Sequence, residues 1–483
     1  MGNEVMYQSF EWYLEDDGKF FSKLKDEIKD LKNSGIDAIW LPPVFKATST
    51  NDVGYGVYDL YDLGEFDQKG SVRSKYGKVN ELKSLIEEIH KNGMKVYMDV
   101  VMNHKAGADK TEVFRAVEVD KNDRNNIISE EHDIKAWTYF DFPGRCGKYS
   151  QFIWNFQHFT GVDYDEETGK NGIFKICGDG KNWSENVASE NGNFDYLMFA
   201  DIDLNNSDVR DELFRWADWF TDYLQIDGMR FDALKHMDAS FVRDFIKHLC
   251  ENGKDHLYYF GEYWENNLNH DDRFLFETKY KLDIFDVTLH FNLSEASKKG
   301  KDYDLRKIFD GSIVKNHPLM AVTFVDNHDS EPGQSLESFV DPWFKKIAYG
   351  LILLRKDGYP CVFYGDYKGI KAKNISGQKD MIDNLIDIRK KYAYGDEDNY
   401  FESQNLIGWV RRGSEDHPGR LAVLISNEDA ASLRMFVGKD QEGKKYVELT
   451  GENDREIEID KDGFGVFEVG PGSLCAWADK DSL

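Results

Sequence analysis

Short apolar runs alternate with amphipathic helical patterns over most of this 483-residue chain. The strand-like run 5–8 precedes a helical pattern over 20–33, and the run 36–41 precedes a helical pattern that begins at Asn80. A glycine follows each of these helical patterns, at a position where helices commonly end. Because repeated strand–helix units form a parallel sheet, and eight of them close into a cylinder, we predict an α/β fold built on a (β/α)8 TIM barrel.

Two parts of the chain depart from this alternation. Residues 104–206 are rich in Asn, Asp, Gly and aromatic residues and show no clear long helix, which indicates an irregular β-rich domain inserted after barrel strand 3. The alternation resumes at Asp208, with strands predicted at 228–232, 257–262, 285–289, 321–326 and 361–365. Short alternating strands then follow, at 406–410, 421–425, 455–459 and 465–469. The predicted domains are the barrel (1–103 and 207–396), the inserted domain B (104–206) and a C-terminal antiparallel β-sandwich (397–483).

Composition narrows the possible partners. The net charge is −28, and an acidic surface of that size repels phosphate backbones, so no nucleic-acid partner is expected. No run of 18 apolar residues is present, so we expect no membrane partner, and we predict a monomer. Five scattered cysteines favour free thiols in a reducing compartment. The N-terminal segment has neither a basic stretch nor an apolar signal core, which favours a cytoplasmic location.

Three acidic residues each end a predicted barrel strand: Asp232, Glu262 and Asp329. Another strand-like run ends in Asn103 and His104. Since the active sites of barrels of this kind lie at the carboxyl ends of the strands, these side chains are expected to share one pocket. Two carboxylates that face each other across a bond are suited to cleaving a glycosidic linkage.

The neighbours of each acid suggest a role. Arg230 lies two residues before Asp232 on the same strand face, and an arginine beside an aspartate favours the ionised carboxylate, which is a competent nucleophile. Glu262 lies among four aromatic residues, and an apolar environment raises a carboxyl pKa toward the range of a general acid. Asp329 is placed to bind sugar hydroxyls as the ring approaches an oxocarbenium ion.

Each of these residues also has an ordinary structural interpretation. A single aspartate at a strand end usually caps a helix, and Arg230 with Asp232 is compatible with a structural ion pair. Taken singly, His104, His236 and His328 are more often packed or hydrogen-bonded than catalytic. Together these groups favour a charge-dense catalytic pocket, because so many buried charges at adjoining strand ends have a large desolvation cost that helix capping does not explain.

Four segments, in this order, resemble the signature segments of the α-amylase family, glycoside hydrolase family 13. They are DVVMNH (99–104), GMRFDALKH (228–236), GEYW (261–264) and FVDNHD (324–329). The stretches 54–66 and 191–203 are similar to bacterial liquefying α-amylases and their cytoplasmic relatives. The resemblance covers essentially the whole chain.

The resemblance implies a retaining, endo-acting hydrolase that cleaves internal α-1,4-glucosidic bonds of starch, glycogen and maltooligosaccharides. Asp232 is implied as nucleophile, Glu262 as acid/base and Asp329 as transition-state stabiliser. The implied substrate-binding residues are Tyr55 as the stacking platform, His104, Arg230 and His328 at the cleavage subsite, and Lys235 and His236 on the leaving-group side.

The resemblance also implies one structural Ca²⁺ between the barrel and the inserted domain. Its ligands are implied to be Asn103, Asp195, Asp201 and the backbone carbonyl of His236, all oxygen donors of the kind that a hard cation prefers. Secreted relatives carry further metal sites, and this chain has other residues where those relatives have the ligands: Thr160, Ser184, Gln404, Asn405 and Asn427. Additional sodium or calcium sites are therefore not expected.

Three alternatives stay open at this point. An α-glucan transglycosylase on the same fold has the same signature segments. A non-catalytic glycan-binding protein is disfavoured because none of the three acids is missing. A metal-dependent hydrolase using His104, His236 and His328 is disfavoured because no two histidines have a metal-binding spacing on one helix.

Overall fold

The computed structural model describes residues 3–482 and contains a closed barrel of eight parallel strands. Each strand pairs with its neighbours in chain order, and β1 closes the cylinder by pairing with both β2 and β8. The strands are β1 (Met6–Gln8), β2 (Ala38–Leu41), β3 (Lys95–Val100), β4 (Gly228–Phe231), β5 (Tyr258–Gly261), β6 (Asp283–Phe285), β7 (Ala321–Phe324) and β8 (Tyr359–Phe363). The predicted barrel is thus confirmed.

Helices cover the outside of the barrel. They are α1 (Phe20–Asn33), α2 (Val79–Lys91), α3 (Ser207–Leu224), α4 (Ala239–Leu249), α5 (Leu268–Glu277), α6 (Val287–Lys299), α7 (Ile313–Asn316), α8 (Lys345–Leu353), α9 (Tyr364–Lys368) and α10 (Lys379–Tyr392). Helix α1 shows why these segments are helical: its buried residues Phe21, Leu24, Ile28 and Leu31 recur every three or four positions and face the strands. Within residues 3–482 no helix is both long and apolar enough to cross a membrane.

The barrel interior is filled with side chains. Large buried residues from several strands pack together inside it, among them Trp40, Tyr97, Phe260 and Phe285. A barrel packed in this way leaves no pore for a ligand. A pocket with polar groups is therefore expected outside the packed interior, at the carboxyl ends of the strands.

The segment after β3 forms a six-stranded sheet of its own. Its strands are His104–Lys105, Lys110–Val119, His132–Tyr139, Phe159–Asp165, Lys170–Ile176 and Ala200–Ile202, and the pairings between them are antiparallel. The two ends of this segment return to the barrel, where the Ile202 N–H donates to the Asn103 carbonyl (2.9 Å). Two small ribbons lie elsewhere: Lys46–Ala47 with Val57–Asp59, and Gly369–Ile370 with Ile375–Ser376.

Two antiparallel sheets follow α10. The larger contains Glu397–Tyr400, Leu406–Arg411, Leu421–Ser426, Lys445–Glu448, Glu456–Glu458 and Ser473–Asp479, and the smaller pairs Ala431–Phe436 with Phe464–Val469. Both sheets contribute to one apolar cluster, with Leu424 and Trp477 from the larger and Met435 and Phe467 from the smaller. The two sheets therefore pack face to face.

Two predicted strands lie elsewhere than expected. The strand predicted at 285–289 ends at Phe285, because the Asp286 side chain accepts the Leu289 N–H (3.0 Å) and caps helix α6. The strand predicted at 361–365 is observed as β8 and is followed at once by the short helix α9. In both cases an apolar run continues from a strand into a helix, and such a run does not show where the change occurs.

Candidate active site

Arg230 connects three strand ends at the mouth of the barrel. It lies fully buried on β4, with Asp99 of β3 and Phe260 of β5 as its register partners. Its Nη1 lies 2.6 Å from Asp232 Oδ1 and 2.9 Å from Asp99 Oδ1, and its Nη2 lies 3.7 Å from Glu262 Oε2. Asp232 and Glu262 therefore contact the same guanidinium and lie on the same side of the mouth.

The pocket contains more negative than positive groups. Within residues 3–482, Arg230 is the one lysine or arginine in ion-pair contact with Asp99, Asp232, Glu262 or Asp329. Burial, opposed by Arg230 and reinforced by the neighbouring carboxylates, raises the pKa of Glu262 to about 8 and that of Asp99 and Asp329 to about 7. Because one guanidinium does not neutralise four carboxylates, the pocket keeps protons at neutral pH, as a general acid requires.

The turn after β4 links the two acids that contact Arg230. Ala233 has a φ of +55°, in the left-handed region, and its N–H donates to Glu262 Oε2 (3.0 Å). An alanine in this conformation costs about 1 kcal/mol or more, and such strain is common at functional sites. The orientation of Glu262 is thus fixed by the residue that follows Asp232.

His328 and Tyr55 form a hydrogen-bonded chain that ends at Asp99. The Gln8 amide donates to His328 Nδ1 (2.9 Å), which places the ring proton on Nε2. This N–H donates to the Tyr55 hydroxyl (2.6 Å), and the hydroxyl donates to Asp99 Oδ2 (3.0 Å). Burial and then Arg230 lower the pKa of His328 well below its ordinary value, so the ring stays neutral. The His328 and Tyr55 rings are parallel within 2°.

His104, Lys235 and His236 lie where the barrel meets the inserted segment. His104 Nε2 donates to the Tyr55 carbonyl (2.9 Å), and burial lowers the pKa of this histidine. Lys235 and His236 lie on the turn Leu234–His236 after β4. The Lys235 ammonium pairs with Glu190 (2.9 Å), and the ring of His236 donates to the Phe194 carbonyl (2.7 Å). Within residues 3–482 none of these three side chains makes a hydrogen bond or ion pair with Arg230, Asp232 or Glu262, although the charge of Asp232 acts on His104.

The side chains implied as calcium ligands lie near one another where the inserted sheet meets the barrel. Asn103, Asp195 and Asp201 are all buried, and Asn103 Nδ2 lies 3.3 Å from Asp201 Oδ1. Burial is the largest cause of a raised pKa in both acids, to about 7 for Asp195, and the charge of Asp195 raises that of Asp201 further. Buried, mutually repelling carboxylates next to an amide oxygen fit a hard cation. The Thr160 hydroxyl donates to Asp201, and the Ser184 backbone N–H donates to Asp195.

The three-histidine metal site is not formed. Among residues 3–482, no three histidine, cysteine, aspartate or glutamate side chains converge as a metal-binding group. His104, His236 and His328 each hydrogen-bond to a different protein group, as described above. The four implied calcium ligands are not such a group, because two of their donors would be the Asn103 amide and the His236 backbone carbonyl.

Sequence reasoning did not identify two polar groups of the pocket. Gln8 ends β1 inside an apolar run, and its contact with His328 joins residues 320 positions apart. Trp40 is the penultimate residue of β2, and its indole N–H donates to Asp99 (3.2 Å). Their position near strand ends was the available sequence signal for a place in the pocket. An amide and an indole are uncharged, so their burial does not by itself indicate a functional site.

The fold and this pocket together define a barrel glycoside hydrolase. Asp232 is held by a guanidinium, and Glu262 on the adjacent strand keeps its proton at neutral pH, which is the unequal pair of carboxyl groups that cleavage of a glycosidic bond needs.

Comparisons with known proteins specify the family. The family model "Alpha amylase, catalytic domain" matches residues 21–400. The glucan 1,4-alpha-maltohexaosidase of Bacillus sp. (strain 707) is 48% identical over 480 residues, which cover 99% of this chain and 93% of that protein. The cytoplasmic alpha-amylase of Escherichia coli (strain K12) is 38% identical over 496 residues, which cover 100% of both.

A solved structure agrees in fold. The alpha-amylase from Geobacillus thermoleovorans, complexed with acarbose, matches with a TM-score of 0.67 at 18% identity, over 99% of this chain and 98% of that one. The chain belongs to the α-amylase family, and it is an enzyme of the glycosidase class.

Proposed function

We propose that this enzyme is an endo-acting α-amylase, which hydrolyses internal α-1,4-glucosidic bonds of starch, glycogen and maltooligosaccharides and retains the anomeric configuration. The observation that carries the proposal is the contact of Asp232 and Glu262 with the single Arg230 guanidinium at the barrel mouth. Membership of the α-amylase family and the named activities of the full-length relatives support the substrate.

Cleavage proceeds in two displacements. In the first, the Asp232 carboxylate attacks the anomeric carbon while Glu262 donates its proton to the glycosidic oxygen, so that the bond to the leaving sugar breaks and a glycosyl ester forms. In the second, the Glu262 carboxylate removes a proton from a water molecule whose oxygen attacks the same carbon. The ester bond to Asp232 breaks, and Glu262 recovers its proton. Asp329 binds sugar hydroxyls most strongly in the flattened transition state.

The neighbouring side chains hold the substrate. The parallel Tyr55 and His328 rings present a flat surface for the sugar at the cleavage point, and Arg230 and His104 complete this subsite. Lys235 and His236, on the turn after β4, contact the next sugar on the leaving-group side. Polar side chains around parallel aromatic rings suit a sugar, because a sugar has hydroxyls at its edge and an apolar face.

A single Ca²⁺ would be held by Asn103, Asp195, Asp201 and the His236 carbonyl. When bound, the cation neutralises the two buried aspartates and thereby stabilises the junction between the barrel and the inserted sheet. No part of the hydrolysis depends on it directly. Thr160 donates to Asp201 through its hydroxyl and Ser184 donates to Asp195 through its backbone N–H. Neither residue supplies a carboxylate, which supports one metal site there.

We place the enzyme in the cytoplasm as a monomer that acts on soluble α-glucans without a nucleic-acid or membrane partner. The cytoplasmic relative from Escherichia coli supports this location, and so do the five free cysteines. The net charge of −28 supports the absence of a nucleic-acid partner.

Two substitutions test the catalytic assignment. Asp232→Asn and Glu262→Gln should each lower kcat on soluble starch by roughly 10³-fold or more without loss of folding. Glu265→Gln is the matched control, because Glu265 follows the same strand but pairs with His270 instead of Arg230. Near-normal turnover by either catalytic variant would end the assignment.

Product analysis separates the proposal from its closest alternative. With maltoheptaose as sole substrate, hydrolysis yields only shorter oligosaccharides, whereas a transglycosylase yields products longer than seven glucose units. Predominant longer products at low substrate concentration would favour the α-glucan transglycosylase. Binding without any turnover would favour a glycan-binding protein.

A further inference from the structure

A second pair of buried carboxyl groups lies next to the active site. Glu331 follows Asp329 by two residues in the loop after β7, and Glu11 lies in the loop after β1. The side chain of Glu331 is completely buried and that of Glu11 is 5% exposed. Neither group is in ion-pair contact with a lysine or arginine within residues 3–482. Such a pair has a desolvation cost that the catalytic assignment leaves unexplained.

Glu331 connects the two loops through the backbone. Its Oε1 accepts the N–H of Trp12 at 2.7 Å. Two further contacts join the same loops at a more exposed level: the Tyr13 hydroxyl donates to the Pro332 carbonyl (2.9 Å), and the Gln334 amide donates to that hydroxyl (2.9 Å). Of these three hydrogen bonds, the one made by the buried Glu331 carboxyl group is the innermost.

Trp12 lies beside the Tyr55 and His328 rings. Its ring is parallel to Tyr55 within 6° at a centroid distance of 6.0 Å, and parallel to His328 within 7° at 6.2 Å. Phe10, from the same loop, packs against His328 from another side at 5.1 Å. A shift of the loop at Trp12 would therefore displace the indole from these two rings.

We infer that Glu331 is a positioning residue for hydrolysis, whose buried carboxyl group fastens the β1 loop to the β7 loop and so holds Trp12 beside Tyr55 and His328. The inference rests on the proposed function and adds a residue to it. Glu331 touches neither the reacting atoms nor the sugar, and it acts through the Trp12 backbone.

The carboxyl group performs this role in its neutral form. Its Oε2 is buried and has no hydrogen-bond partner among the described residues. Burial, followed by the charge of Glu11, raises the pKa of Glu331 to about 9. The other charged groups that face it are Asp326 and Asp329 of its own loop, and Lys345 of α8 is already paired with Asp326. A neutral acceptor is therefore sufficient, and glutamine should replace it.

Steady-state kinetics on maltoheptaose test the inference. Glu331→Leu, which removes the acceptor, should lower kcat/KM about tenfold or more, since small misplacements near the reacting groups have large effects on rate. Glu331→Gln should stay within about twofold of the wild type between pH 5 and 8, because the amide keeps the acceptor and adds no charge. Glu337→Gln, an exposed acid of the same loop, is the control and should leave kcat/KM unchanged.

A double mutant shows whether Glu331 acts through Trp12. If it does, Trp12→Ala combined with Glu331→Leu should be no slower than Trp12→Ala alone. Three results would each overturn the inference. They are additive losses in the double mutant, wild-type kinetics of Glu331→Leu, and a Glu331→Gln variant as impaired as Glu331→Leu. Should Glu331→Leu fail to fold, Glu331→Gln decides alone: a loss above fivefold in a folded protein contradicts the role. Wild-type protein without activity on any α-glucan would instead refute the proposed function.

Discussion

Arg230→Met is the substitution whose effect the structure defines most clearly. Methionine fills a similar space, but it leaves Asp99, Asp232 and Glu262 without the guanidinium they now contact at 2.9, 2.6 and 3.7 Å. Removing one partner of a buried ion pair costs about 3–5 kcal/mol of unfolding free energy, and we expect a loss in this range at pH 7. The loss of kcat should be at least about 100-fold, because the nucleophile is no longer oriented.

The pH dependence of this loss follows from the direction of the pKa shifts. The carboxyl groups of Glu262, Asp99 and Asp329 have folded-state pKa values of about 8, 7 and 7, all above the unfolded range near 4. Their stability contribution is therefore fully present below about pH 4 and is lost as the pH rises through 7 to 8. Arg230 lowers each of these pKa values, so its removal should steepen that decline.

Guanidinium chloride unfolding, followed by tryptophan fluorescence at pH 5, 7 and 8, measures both effects. Arg412→Met is the matched control, because Arg412 pairs with Asp398 at the surface (2.6 Å), where an ion pair is worth at most about 1 kcal/mol. Two results would refute the excess of buried carboxyl groups over Arg230 in the pocket. One is a loss of unfolding free energy below about 1 kcal/mol for Arg230→Met at pH 7, and the other is a loss of unfolding free energy that becomes smaller as the pH rises.

Three further outcomes follow from the same geometry. The alkaline limb of kcat/KM should have an apparent pKa near 8, because Glu262 must be protonated for the first displacement, and in Glu262→Gln this limb should be absent from any residual activity. Tyr55→Phe, which breaks the chain from His328 to Asp99, should lower kcat by about tenfold or more without a change in thermal midpoint above a few degrees, as stopped assays and calorimetry would show. Calcium at about 100 times its Kd should stabilise the wild type by about 2.7 kcal/mol in thermal unfolding, and Asp195→Asn should remove most of that difference; an equal calcium response in the variant would contradict the assigned ligand set.

The barrel was predictable from sequence because its signals are local. Helix α1 has a clear helical periodicity, strand β2 is a short apolar run that ends before Pro42 and Pro43, and the eight-unit repeat limits the topology to few possibilities. The position of β6 was not predictable, since residues 287–289 are as apolar as a strand and only the cap by Asp286 shows that they begin a helix. The antiparallel order of the inserted sheet depends on long-range pairing that no local pattern records.

The proposed catalytic acids could be selected from the sequence for a different reason. A carboxylate at the end of an apolar strand is costly unless the site uses it, so Asp232 and Glu262 were identifiable from position and neighbours alone. Glu331 was not identifiable, because its partner Trp12 is 319 residues away and its loop has the composition of an ordinary turn. The raised pKa expected for Glu262 agrees with the structure, although its cause is general burial together with the other acids as well as the nearby aromatic rings.

Proton NMR of the first product formed from maltoheptaose is the most direct test of the mechanism. Asp232 and Glu262 acting in two displacements invert the anomeric carbon twice, so the new reducing end should appear as the α-anomer and reach the equilibrium mixture only later by mutarotation. Initial formation of the β-anomer would mean a single displacement by water, and the nucleophile assigned to Asp232 would then be wrong.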